Sequence, residues 1–135
     1  IVKNMKNEHT KKDLSFTTQI GGDFRDMDLS GANLKRAVFD NANFEGANLS
    51  GADLRKASFK DANLMKANFQ GADLRDAVFL KAKMNLSNFN GCRLDRADLR
   101  GIRGRYSIWN NANWWDAKIN PDLKKVLSKK WPKQE

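Results

Sequence analysis

Cysteine and histidine are almost absent from this chain: Cys92 and His9 are the only ones in 135 residues. A single cysteine excludes an internal disulfide framework and any thiolate metal cluster built within one chain. Zinc sites want several Cys or His ligands, and Ser or Cys nucleophiles usually need a histidine base, so the commonest catalytic constellations are missing by count. Also lacking is any run of about 18 apolar residues, and no apolar stretch follows a basic N-terminus. No membrane span or intact signal peptide is therefore expected. The sequence begins at Ile1, so the cytoplasm is only the default expectation, with a removed N-terminal signal as the alternative. A length of 135 residues suits one domain, and 40% hydrophobic against 30% charged residues describes a chain that folds around a thin core.

What is abundant is repetition with a period of five residues. From Phe24 to Ile119, 19 of 20 centres spaced by five are large and apolar, Gly104 being the exception. Two residues before each centre stands a small side chain, Ala in 14 of the 20 cases, and Ser87, Cys92 and Ser107 are similarly small. Cys92 is thus expected as a buried packing thiol. The residue between is often Asn or Asp, as in Asn33, Asp53 and Asp73. A period of five scatters around a helix of 3.6 residues per turn, so helix is rejected for 23–119. In extended chain, the small residue and the following centre share one face, and the two remaining residues turn a corner. Each pentad is one side of a coil. Gly31, Gly51, Gly71 and Gly91 recur every 20 residues at one corner, where glycine supplies a positive φ, and Phe39, Phe59 and Phe79 recur likewise. Four pentads per turn follow, giving an all-β solenoid of about five coils and a rod roughly 24 Å long.

The tandem Ala-Asn/Asp-Leu/Phe pattern, as in Ala32-Asn33-Leu34, Ala52-Asp53-Leu54 and Ala72-Asp73-Leu74, resembles the pentapeptide repeat family. The resemblance implies a right-handed quadrilateral β-helix. Gly104 at a centre, Ile102 and Ile108 beside it, and Lys83 and Arg93 where Asn or Asp is usual depart from the pattern, and imply an irregular, bulged last coil. Some family members act on DNA gyrase by imitating the charge of duplex DNA, and some pair through their C-terminal ends.

Solenoid ends need caps to keep their strand edges from associating. Residues 1–22 are expected to be a polar tail and partial capping coil, with His9 in the tail and Phe16 and Ile20 helping to cover the coil. Residues 23–119 form the β-helix, and 120–135 a capping helix and tail. Asn120-Pro121-Asp122 reads as a helix start, with Asn120 as N-cap. Leu123, Val126, Leu127 and Trp131 follow at helical spacing, with Lys124, Lys125, Lys129 and Lys130 opposite. With Trp115, that stripe is the candidate partner or homodimer surface.

Net charge is +9, from 25 Lys and Arg against 16 Asp and Glu. Stacking every twentieth residue gathers Lys35, Arg36, Arg55, Lys56, Arg75 and Arg96 on one side, the candidate face for an anion or a partner. No catalytic, metal or cofactor-binding residues are picked out, and no enzyme is expected. The reading is a noncatalytic structural or interaction module that docks to a protein through a flat face. The alternative is a rod contacting nucleic acid or an anionic membrane through the basic side. A DNA-mimicking gyrase partner comes last, because a +9 chain carries the wrong sign.

Overall fold

The computed structural model describes residues 12–134. The tail with His9 lies outside the described residues, except for Lys12. From Asp13 to Lys118, 17 parallel bridges pair residues, and every pair is 20 apart, as in Asp13↔Asn33, Asp53↔Asp73 and Asp98↔Lys118. Four pentads per turn are therefore the pitch of the coil. Each side contributes one bridging residue rather than a strand, because a corner interrupts the extended chain every five residues.

The corners explain the pentad. In all of them from Phe16 to Asn111, the second residue after the centre has a φ between +56° and +73°, and 13 of the 20 are not glycine. The residue after it donates its N–H to the centre's carbonyl, as Ala37 does to Leu34 at 3.1 Å, closing a β-turn with the positive φ of type II at its third position. Backbone accounting then shows what Asn and Asp do. In the pentad around Leu34, Asn33 N–H donates to Lys12 of the preceding coil, while Leu34 and Arg36 N–H donate to Asp53 and Arg55 of the next. Only Lys35 N–H is left, and it donates to Oδ1 of Asn33 at 3.2 Å. The same bond recurs at Asn43, Asn48, Asn63, Asn68 and Asn88. At two corners whose bridging residue is neither Asn nor Asp, the coil before supplies the oxygen: Lys60 N–H turns to Asp40, and Arg105 N–H to Asn85.

Inside, Leu34, Leu54, Leu74 and Leu94 form one fully buried column, and Phe39, Phe59 and Phe79 another. Their rings stack at 5.4 Å between centroids, and Phe69, Phe89 and Trp109 continue the stacking on another side. Cys92 is buried at one of the small inward positions, its Sγ 2.9 Å from the carbonyl oxygen of Phe69. Burial pushes its thiol pKa up to about 12, so it is not a reactive thiolate at neutral pH.

Three expectations change at the ends. Phe16 and Ile20 do not cover the first coil; they occupy outward corner positions and are 70% and 64% exposed. The expected bulge at Gly104 is absent, since the bridges Lys83↔Arg103 and Asn88↔Ile108 pass through in register. Gly104 simply lacks a side chain, and its φ is not in the left-handed region. The ladder becomes irregular ten residues later, at the short 3-10 turn Trp114–Asp116. There Leu94 N–H donates to the side chain of Asn113, at 2.6 Å, in place of a main-chain carbonyl. Asn120 behaves the same way. It precedes helix α1, Pro121–Lys130, but its Oδ1 accepts from Gly101 N–H at 2.6 Å and makes no cap. No helix among the described residues is long and apolar enough to cross a membrane.

Candidate interaction surfaces

The basic side predicted from stacking exists as a column, but much of its charge is already matched. Arg55 grips Asp53 with two hydrogen bonds, 2.9 and 2.7 Å, and Arg75 grips Asp73 in the same way. Arg55 also lies 3.9 Å from Asp73, so the four groups form a continuous run of alternating charge. Arg96 reaches across one coil to Asp76, at 2.9 and 3.0 Å. Planar bidentate pairs hold geometry better than single contacts. Hydrogen bonding from the paired arginine holds Asp53, Asp73 and Asp76 below the ordinary 3.8. Lys35, Arg36 and Lys56 form no ion pair among the described residues. The signal for the pairing was in the sequence: an Asp two residues before an Arg, in Asp23-Phe24-Arg25, Asp53-Leu54-Arg55, Asp73-Leu74-Arg75 and Asp98-Leu99-Arg100. The spacing puts the Asp on the bridge and the Arg on the following corner, within one fork's reach.

The C-terminal stripe divides. Leu127 is 2% exposed and part of the core, while Trp115, Leu123 and Trp131 are partly buried against it. Trp114 anchors the chain end by donating its indole N–H to the carbonyl of Trp131 at 2.7 Å. Val126 alone of the five stands largely exposed, at 58%. Lys130, placed on the outer side by helical spacing, lies over the Trp131 ring, 5.9 Å from its centroid. Between α1 and the last coil the surface is concave. One cleft of ≈ 370 Å³ runs from Gly104 and Tyr106 to Leu123 and Val126, and a second of ≈ 270 Å³ lies beyond Trp131 and Lys130. The first was not anticipated, although the missing side chain at Gly104 marked its floor. Among the described residues no group of three or more His, Cys, Asp or Glu is placed to hold a metal ion.

These features define a four-sided β-solenoid, packed solid with Leu and Phe and closed by a helix at its C-terminal end. The chain belongs to the pentapeptide repeat family: residues 23–61 match its pentapeptide repeats in eight copies, and 56–123 match its pentapeptide repeat region. The right-handed β-helix of that family is the fold described here. A pentapeptide repeat protein from the thylakoid lumen of Arabidopsis thaliana is similar over 87% of this chain and 75% of its own, at 28% identity and a TM-score of 0.56. Rfr23 from the cyanobacterium Cyanothece 51142 is 18% identical over 82% of this chain and 86% of its own, with a TM-score of 0.42. QnrB1, a plasmid-mediated fluoroquinolone resistance protein, is 16% identical over 91% and 67%, with a TM-score of 0.40. No curated protein matches the sequence.

Proposed function

We propose that this chain is a noncatalytic docking module: a stiff rod of about five coils that presents the column Lys35, Arg36, Arg55, Lys56, Arg75 and Arg96 to a protein partner. The observation that carries the reading is the matching of Arg55, Arg75 and Arg96 with the neighbouring carboxylates of Asp53, Asp73 and Asp76. Affinity for a polyphosphate comes from unmatched cations that displace counterions, and three of the six would have to break a bidentate pair first. A protein surface with its own mixture of charges meets such an array without that cost. Imitation of DNA is disfavoured by the net +9. Lys35, Arg36 and Lys56, which form no ion pair among the described residues, are what favour the second reading, an anionic surface such as nucleic acid or lipid headgroups.

Crosslinking capture from a cell extract, with the chain and a Lys35→Glu, Arg36→Glu, Lys56→Glu variant side by side, tests the docking reading. A partner is expected that the variant fails to capture. Binding to duplex DNA or phosphatidylserine vesicles that survives physiological salt and is lost in the same variant would replace it with the second reading.

A further inference from the structure

Besides Ile108, three large apolar side chains are exposed near the C-terminal end. Tyr106 is 72% exposed, Leu86 49% and Val126 58%. Leu86 and Tyr106 stand one coil apart on the same corner column, with Leu86 N–H bonded to the carbonyl of Arg105. Tyr106 and Val126 both line the cleft at Gly104. Leu86 and Tyr106 share the left-handed φ of every corner, +62° and +63°, so it is their exposure that sets them apart from the buried apolar residues.

The cleft lies where the inward column Phe24, Phe44, Leu64, Met84 reaches Gly104, one of its lining residues. Trp109, Leu123, Leu127 and Trp131 line it, and its two charged lining residues, Arg105 and Lys130, are both cations. Neither forms an ion pair among the described residues. The surroundings have the same sign: residues 100–135 hold nine Lys and Arg against three Asp and Glu, so six of the nine net positive charges lie in the last quarter of the chain.

We propose that this cleft is a docking site for an acidic peptide segment of a partner protein, one that places a large apolar side chain over Gly104 and carboxylates against Arg105 and Lys130. The apolar floor inside a charged rim is the anatomy of an anchor site. A second copy of this chain fits poorly, since end-to-end pairing would bring together two strongly positive ends. A bilayer is flat and has no side chain to enter the concavity, so a lipid surface fits less well than a peptide. The surface is distinct from the basic column, so either proposal can fail without the other.

Selection from a random-peptide phage library on the full chain, followed by anisotropy with labelled winners, tests this. Enriched sequences should combine aromatic or large aliphatic residues with Asp or Glu. They should bind an Arg105→Glu, Lys130→Glu variant at least about tenfold more weakly. Val126→Glu, exposed on α1, should weaken them as well. Both variants should melt with the unmodified chain, which separates lost binding from lost folding. Four results would overturn the proposal: no enrichment, enrichment of uncharged or basic peptides, winners indifferent to the variants, or winners displaced equally well by phosphatidylserine vesicles. A concentration-dependent dimer in sedimentation that Val126→Glu dissolves would give the cleft to a second copy instead.

Discussion

At the scale of single residues, the pentad is an economy in which each position has one task. The centre fills the interior, and Phe59 does so most completely: it is fully buried, stacked between Phe39 and Phe79, and edge-on to Phe44 at 5.2 Å. Phe59→Ala is expected to lower stability by about 3–5 kcal/mol, the range for emptying a rigid aromatic site. An unchanged melting temperature would refute the inward assignment. The corner is limited by conformation rather than space. Gly71 has a φ of +69° and nothing within 4 Å of where a Cβ would sit. Gly71→Val therefore costs strain without a clash, about 1–2 kcal/mol by chemical denaturation. A neutral result would mean that the corner relaxes out of the left-handed region. Non-glycine residues at 13 such corners show why the glycine column was a bias in the sequence and not a rule.

At the scale of the element, hydrogen bonds decide where the ladder ends. Asn113 stands where the next bridge would form, and its side chain does the work of a backbone: Oδ1 accepts from Leu94, and Nδ2 donates to Asp95 and Asp116. Asn113→Ala would leave the Leu94 N–H without a partner, at a cost of about 1–3 kcal/mol. Faster amide exchange at Leu94, with Leu54 unaffected, is the readout that ties the loss to this end. The Asp–Arg forks add a pH dependence whose sign is fixed. Asp53, Asp73 and Asp98 are held below 3.8 chiefly by hydrogen bonds from Arg55, Arg75 and Arg100. The unfolded chain thus takes up protons first as pH falls. The stability these pairs contribute is complete above about pH 5 and is lost as pH drops through the folded values. Melting temperatures should be flat from pH 6 to 8 in this respect and fall below about 4. Replacing Asp53 and Asp73 with Asn should flatten the acid limb.

For the whole molecule, the coil was legible because its cause is local. Five-residue spacing, small-then-large inward pairs and the 20-residue columns each restate a geometric requirement, and the bridges between Asp13 and Lys118 keep that 20-residue step. The surface was less legible, because stacking groups Arg55, Arg75 and Arg96 on one side without showing that each faces an Asp. The cap was read half rightly. Helical spacing located α1 at Pro121–Lys130, yet the Asn120 side chain bonds the coil and not the helix. Deleting residues 121–135 should uncover Trp109, Trp114 and the unpaired edge of the last coil. Light scattering is then expected to detect association of the truncated chain, and a stable monomer would show that the last coil closes itself. The uniform 20-residue step between bridges also makes this rod a graduated one. Residues can enter or leave its middle without disturbing either end only in whole coils, each moving the C-terminal cleft by about 4.8 Å and returning every side to its original bearing. The separation of the cleft from the basic column is therefore counted in integers, and two partners engaged at both would be held at a distance set by arithmetic in the sequence.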